Sequence, residues 1–413
     1  MSDENASAWI TGIGVIGPQG LGWKQLCDAL LTPQAYFSAA PPAWLDVPGV
    51  PDAYIAPLGD AAGAHAKQYE NLSTDRACAL ALCAADQAWQ QAAPDADPTR
   101  CGVYWGTGLG GLHTTEAAYN RLLVDRQPLR PMTVVRIMGN SAAAQLAIKY
   151  KLRGPNHTYT VACASSAMAL GEALLALRMG RIDLALVGGS EAMLAPGAMA
   201  AWGALRVLSL RKTAASADLA CRPFSADRTG LVIGEGAAAF VLESPRHARA
   251  RGARPLAELI GYGSTCDATS LAQPQQEGQV RAMQQAIGDA GLLSTEIGAV
   301  NAHATGTDTG DAVEAQALQA TFGSRIPPVS ATKSMHGHLL GAAGALEAAV
   351  SIASLQHQII PATLGANPPD PQCQMLDLAI DQPRQTTGLD CVMSNSFAFG
   401  GSNIALVFRR TTP

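Results

Sequence analysis

Four groups of residues in this chain have types and spacings that could do chemistry together. The first centres on Cys163. An alternating, β-branched run over 157–161 gives way there to an Ala-, Leu- and Met-rich run that reaches Met179 before Gly180. Alternation predicts a buried strand, and the second run predicts a helix with a glycine stop. A free Cys is ordinarily a small buried hydrophobe. At this junction it meets the unpaired N–H groups and positive end of a helix, which stabilise thiolate and suit it to nucleophilic work. On that reading iodoacetamide alkylates Cys163 ahead of the other eight of the nine cysteines.

The second group runs from Asn301 to Asp311, with Glu314 following. His303 ends an apolar strand and enters a Gly/Thr loop, where it is either a base or a satisfied core residue. The third is Lys333-Ser334-Met335-His336-Gly337-His338-Leu339-Leu340-Gly341. His338 reads as sitting at a helix N-terminus, where the dipole opposes protonation and favours a neutral imidazole donor. His336, two residues away, competes for that role. The fourth is Asn395-Ser396-Phe397-Ala398-Phe399-Gly400-Gly401-Ser402-Asn403. Gly-rich backbone beside two aromatics is either a turn or a set of N–H donors for an oxyanion with a movable gate.

The elements that must position these groups follow from pattern. With 413 residues and 48% apolar content there is ample core, and the length suits two similar halves. A net charge of −5 argues against nucleic-acid binding. The cysteines form no CxxC pair, which fits a reducing cytosol and argues against a disulfide framework or zinc ribbon. The acidic, polar start Met1-Ser2-Asp3-Glu4-Asn5 carries no visible secretory signal. The longest apolar tract, Leu339 to Leu355, contains Glu347 and reads as a core helix, not a membrane span. A cytoplasmic protein with no membrane partner is expected.

Along the chain, Trp9–Ile16 reads as a strand, Gly20–Leu31 as a helix, Ala39–Gly63 as a surface excursion, and Asp75–Gln91 as a helix. A strand over 102–105 then enters the loop Gly106–Gly111, for which close backbone packing is a better explanation than phosphate binding. Arg121–Arg136 is irregular and basic, and Leu184–Gly189 is a strand. A second series echoes the first. It comprises a helix over Gln279–Ala290, a strand over Ile297–His303, a strand Val329–Ala331 and a helix over His338–His357. Gly234–Leu242 is likewise echoed by Gly400–Val407. Two duplicated α/β halves are the simplest account, residues 1–250 with the nucleophile and 251–413 with the His and Lys residues. Active sites in such layered folds form where strand-end loops converge.

Cys, His, Lys-plus-His and a Gly-rich loop in this order are far more specific together than singly. They resemble the β-ketoacyl-acyl-carrier-protein synthases, especially the elongating type II enzymes of the thiolase superfamily. The likeness runs from Ile10-Thr11-Gly12-Ile13-Gly14 to Leu406. It includes Leu152-Arg153-Gly154-Pro155, Arg222-Pro223-Phe224 and Gly234-Glu235-Gly236-Ala237. The resemblance implies a thiolase-like α-β-α-β-α sandwich, an acyl carrier protein as partner, and a homodimer or else a heterodimer with a chain-length-factor-like subunit. It also implies decarboxylative condensation of a malonyl thioester with an acyl group on Cys163. His303 and His338 would stabilise the enolate, and Lys333 would order them with Glu314 as its charge partner. Backbone N–H groups of Cys163 and Phe399 would receive the oxyanion. Thr305 and Thr307 would line the pantetheine channel, and Leu109, Trp202, Phe397 and Gly400 the rest of the substrate path. Arg206, Arg211 and Lys212 would dock the carrier; Lys67, Arg126 and Arg130 read better as solvated charges. No metal is implied, and no dissociable cofactor, because the carrier brings its own phosphopantetheine.

The chain departs from that family's usual pattern at several places. Ala398 replaces a glycine between the aromatics, His336 a common Thr, Leu231 a usual Phe, Asp308 a usual Pro, and Trp202 a smaller aromatic. These leave catalysis intact and point away from housekeeping fatty-acid elongation, toward specialised polyketide or aryl-polyene-type work on short or planar acyl groups. Ala398 would resist backbone angles that glycine allows. Two alternatives remain. A chain-length-factor-like partner subunit would have lost its nucleophile, which is present. A thiolase acting on acyl-coenzyme A would carry a second Cys in a Cys-x-Gly-x-Gly loop, whereas Cys391 is followed by Val392-Met393-Ser394.

Overall fold

In the computed structural model, which describes residues 7–71 and 73–411, one continuous 11-stranded sheet consists of two five-stranded units that repeat one pattern, with the short strand Gly20–Leu21 paired beside the first. The first contains β1 (Ala8–Gly17), β2 (Cys101–Gly106), β3 (Asn156–Tyr159), β4 (Leu184–Glu191) and β5 (Gly236–Glu243), in the order β3-β2-β4-β5-β1. The second contains β6 (Ala257–Cys266), β7 (Ala299–Asn301), β8 (Val329–Ser330), β9 (Cys391–Phe397) and β10 (Ser402–Arg409), in the order β8-β7-β9-β10-β6. In both, the first three strands are parallel and the last two pairings antiparallel. The units join edge to edge through β1 and β6, which are antiparallel in the register Ala8↔Leu259, Trp9↔Glu258, Ile10↔Ala257.

Helices complete the layers. α1 (Arg76–Ala92) packs on the outer face of the first unit and α3 (Gln276–Asp289) on that of the second, with α4 (Asp308–Phe322) beside it. Between the units lie α2 (Ser165–Arg178) and α5 (Ala343–His357), which share one apolar core with both. This is the layered α-β-α-β-α arrangement. The central helices are buried on nearly every face, as a helix apolar all round must be. Truncating a core side chain there, such as Leu346→Ala, removes about 2–5 kcal/mol of stability. The duplication reaches individual residues. A Cβ on Gly12 or Gly14 of β1 would strike carbonyls of α1, and one on Gly261 or Gly263 of β6 would strike carbonyls of α3. Small residues here let helix and sheet backbones touch.

Several boundaries differ from the pattern reading. Ala39–Gly63 contributes Ser38–Ala39 and Tyr54–Ala56 to a small sheet with Ile233–Gly234, so it is partly ordered by pairing. Residues 112–119 form a helix, followed by a π-turn over Asn120–Val124 and a short helix Thr133–Ile137. The helix expected from His338 starts at Ala343. Gly337 and Leu340 both have positive φ (69° and 51°), which forces a separate turn before α5. No helix among the described residues is long and apolar enough to cross a membrane.

Candidate active site

Cys163 lies where β3 hands over to α2. The chain turns at Ala162, whose φ of 48° is left-handed and costs a non-glycine residue about 1–3 kcal/mol. Ser165 secures the turn: its Oγ accepts from Val161 N (2.9 Å) and donates to Ala162 O (2.6 Å). Cys163 follows in a single 3-10 turn and α2 begins at Ser165. The thiol is buried, and burial pushes it up to about 12; the Lys333 charge and the Phe399 N–H pull it the other way. The thiolate expected from the helix end is therefore not the resting form, because desolvation outweighs it. A proton acceptor stands ready instead: His338 Nε2 is 2.9 Å from Cys163 Sγ. Of the nine cysteines only Cys266 is exposed, so general alkylation meets that thiol before Cys163.

His303 follows β7 and faces His338 with ring centroids 5.4 Å apart and planes at 82°. Both imidazoles are held well below their ordinary value, by burial first and by the Lys333 charge second. For His338 this corrects the helix-dipole account, since α5 starts five residues later. Lys333 Nζ donates to His303 O (2.6 Å) and lies 3.5 Å from His303 Nδ1. An ammonium has no acceptor, so Nδ1 accepts and His303 Nε2 carries the proton. His336 does not compete. Its Nδ1 donates to Gly337 O (2.8 Å), its Nε2 accepts from Thr332 Oγ1 (3.0 Å), and burial lowers it to about 3.

Glu314 is not the charge partner of Lys333. Its carboxylate accepts the backbone N–H groups of His303 (2.8 Å) and Ala304 (2.7 Å), which fixes the loop carrying His303. The ammonium instead pairs with Glu347 on α5. Lys333 and Glu347 are 0% and 1% exposed at the side chain, so the pair is fully desolvated. Glu347 was visible in the sequence as the one charge in an otherwise apolar tract, and that is the signal for a buried partner.

A cavity of ≈ 550 Å³ opens onto Cys163, His303 and His338. Trp202, Leu231, Thr305, Thr307 and Phe397 line it, and Arg206 stands at its wall. Thr305 Oγ1 and Thr307 Oγ1 are 3.1 Å apart. Phe399 is 37% exposed and stacks on Trp202 (centroids 6.2 Å apart, planes at 25°). Ala398 is absent from the residues with positive φ, so an alanine fits there without strain, contrary to expectation. Gly400 (φ 87°) lies in the turn beyond the cavity wall, and its N–H donates to Leu271 O (2.8 Å). Leu109 does not share a wall with Trp202; it is 58% exposed. Its loop is drawn inward by backbone N–H groups that bind Glu191, leaving the side chain outside. Arg211 is exposed and paired with Asp52 (3.4 Å), and Lys212 is exposed.

Pattern reading also passed over Arg228. Its guanidinium donates to Thr307 O (3.1 Å), Asp308 O (2.7 Å) and Asp370 (2.7 Å), which holds the threonine loop against the cavity. Asp227-Arg228-Thr229-Gly230 reads as a surface turn, so nothing in the sequence marked it. Cys163 Sγ and one nitrogen each of His303 and His338 lie within 4.8 Å of one another. Zinc uses such donors, but a neutral thiol and the nearby Lys333 ammonium disfavour a cation here. The same three groups suit acyl transfer: a nucleophile and two neutral imidazoles facing one cavity, one of the imidazoles being its proton acceptor.

Residues 7–248 match the family model of the β-ketoacyl synthase N-terminal domain, and residues 256–367 match that of the C-terminal domain. Nodulation protein E of Rhizobium leguminosarum bv. trifolii is 42% identical over 346 residues, covering 82% of this chain and 83% of that protein. The 3-oxoacyl-[acyl-carrier-protein] synthase 2 of Staphylococcus aureus (strain COL) is 40% identical over 357 residues, 84% of each chain. Among solved structures, the ishigamide ketosynthase/chain length factor superimposes with a TM-score of 0.89 at 30% identity, covering 98% of this chain and 99% of that one.

Proposed function

The chain belongs to the β-ketoacyl synthase family and is a condensing acyltransferase, and from that premise we propose how its residues divide the work. The observation that carries the reading is His338 Nε2 at 2.9 Å from Cys163 Sγ, with the His303 ring across the same cavity. In the first half-reaction the Cys163 thiol gives its proton to His338 and attacks the thioester of an acyl carrier protein. The carrier's phosphopantetheine thiol leaves and takes that proton. Backbone N–H groups of Cys163 and Phe399 hold the oxyanion; the Phe399 N–H already points at the sulfur.

In the second half-reaction malonyl carrier protein places its thioester carbonyl between His303 and His338. Loss of carbon dioxide leaves an enolate, whose oxygen accepts from the Nε2–H of His303 and from the Nε2–H of His338 once the His338 proton has exchanged from Nδ1 to that nitrogen. The enolate carbon attacks acyl-Cys163, and the collapsing intermediate frees the Cys163 thiolate, which takes up one proton. Lys333 acts through the imidazoles: its charge keeps them neutral and fixes the His303 tautomer. Thr305 and Thr307 hydroxyls line the path of the pantetheine arm, and no dissociable cofactor enters. Arg206, Arg211 and Lys212 form the basic side of the carrier dock.

The lining of the cavity supports a substrate class. Trp202 and Phe399 stack in its wall, and a flat aromatic wall favours planar unsaturated acyl groups by about 0.5–1.5 kcal/mol beyond area. We therefore assign the enzyme to a specialised polyketide or aryl-polyene-type pathway in the cytoplasm. Its partner subunit is a second copy of the chain, since β3 leaves one sheet edge open among the described residues. Intact-protein mass spectrometry after incubation with a panel of acyl carrier proteins tests the reading. Wild type should gain an acyl mass on Cys163, most readily from short or conjugated donors, and Cys163→Ala should gain none. Acyl transfer by the folded Cys163→Ala protein would overturn the mechanism. A requirement for a second, different subunit would overturn the homodimer.

A further inference from the structure

The glycine-rich loop Gly106–Gly111 binds an anion, and the anion is part of the protein. Glu191, at the end of β4 and 0% exposed, accepts Gly108 N (2.5 Å) and Leu109 N (3.3 Å) from that loop, with Thr107 Oγ1 at 3.4 Å. The same carboxylate accepts Gly341 N at 3.1 Å. Gly341 is three residues beyond His338 and belongs to the turn that precedes α5. The two segments touch directly, because a Cβ on Gly341 would strike the Gly108 amide nitrogen. On its other side the loop packs on the nucleophile: a Cβ on Gly106 would strike the backbone of Ser165 and Ser166. Among the described residues no Lys or Arg pairs with Glu191. Burial pushes its carboxyl up to about 7 while four backbone N–H groups, from Gly108, Leu109, Gly341 and Gly110, pull it down.

A buried carboxylate without a counter-ion is expensive unless its hydrogen bonds do something that a neutral side chain cannot. Here all of its acceptor capacity is spent on joining two segments. One segment abuts the start of the nucleophile helix and the other leads into His338. We propose that Glu191 is a positioning residue for the condensation: it fixes the Gly106–Gly111 loop against the His338 segment, and so sets the distance between His338 Nε2 and Cys163 Sγ. The proposal rests on the family reading for the roles of those two groups and adds a residue that touches neither.

The test uses Glu191→Gln, which keeps size but turns one acceptor into a donor facing N–H groups. Thr107→Val serves as a milder variant, removing one hydroxyl contact and the Thr107 Oγ1 acceptor of Gly110 N (3.1 Å). Active sites are counted by acylation of Cys163 in mass spectrometry, and malonyl-carrier decarboxylation is then measured per active site, with KM and kcat separated. A merely structural role lowers the count of active sites and the melting temperature together and leaves the rate per site unchanged. The proposal expects Glu191→Gln to lower kcat per site at least tenfold with KM for malonyl carrier within about twofold. Thr107→Val should fall between it and wild type, and Glu191→Asp should recover part of the loss. Wild-type kcat per site in Glu191→Gln, or a loss that tracks the folded fraction alone, overturns it. Should wild type itself show no decarboxylation, the family reading fails and not the positioning role.

Discussion

Replacing Glu347 by Gln tests the correction to the Lys333 pairing. The substitution keeps volume and an oxygen acceptor but removes the negative charge that pairs directly with the buried Lys333 ammonium. Breaking one side of a fully buried pair costs about 3–5 kcal/mol. The Lys333 charge also lowers the basicity of His303 and His338. With Glu347 neutralised that charge acts on the imidazoles unopposed, both take protons less readily, and the acid limb of malonyl decarboxylation moves to lower pH. Urea midpoints give the stability, and decarboxylation rates between pH 4 and 8 give the limb. Glu314→Gln is the control. It should lower the rate by loosening the His303 loop with little effect on the limb, since the Glu314 carboxylate is spent on the His303 and Ala304 N–H groups and forms no ion pair with Lys333. A Glu347→Gln enzyme within about 1 kcal/mol of wild type and with an unmoved limb refutes the assignment, as does a larger limb shift in Glu314→Gln.

The two histidines either side of Gly337 should separate cleanly. His336→Ala leaves Gly337 O and the Thr332 hydroxyl unpaired and should cost about 2–6 kcal/mol, at about 1–3 each, with the rate per folded molecule changed only a few-fold. His338→Ala should unfold near the wild-type midpoint and lose about 10²–10⁴-fold in decarboxylation; the reverse pattern in paired urea and rate measurements rejects both roles. His336 is lowered to about 3 in the fold, so its stabilisation is complete above the ordinary value of about 6.5 and is lost as pH falls from there toward 3. The stability difference between wild type and His336→Ala should therefore shrink over that window, and a constant difference is inconsistent with a buried neutral ring. For Trp202→Phe, a competition between a C14–C16 saturated acyl carrier and a short or conjugated one should move toward the saturated chain by about 2–3-fold, because phenyl keeps part of a stacking face worth about 0.5–1.5 kcal/mol in full. A wild-type preference for the long chain that Trp202→Phe leaves unchanged removes the stacking argument.

Much of the layered fold could be read from period and repetition. The switch from alternation to helical spacing at Cys163 is local, so the strand, the turn and the helix all announce themselves. The echo of one half in the other located the second set of strands. What stayed hidden was pairing across the chain. Glu314 and Glu347 are both acids near Lys333 in sequence, and only the turn at Gly337–Ala342 decides which reaches the ammonium. Arg228 looks like a surface turn until three carbonyl and carboxylate partners converge on it. The protonation state of Cys163 depends on how much protein surrounds the sulfur, a quantity no local pattern contains. Leu109 was misplaced for the same reason: what fixes its loop is Glu191, eighty-two residues on.

The two five-stranded units meet through three residue pairs of β1 and β6, yet the helices between them belong one to each half. Each half alone would expose the inner face of its sheet and one side of its central helix to water. Contacts that close this core join residues separated by much of the chain, and such long loops make the closing step slow. Cys163 comes from the early part and His303, Lys333 and His338 from the late part. A chain still emerging from the ribosome therefore carries its thiol without the imidazoles that activate it. The reactive centre exists only where both halves are docked, so reactivity itself reports that they have docked.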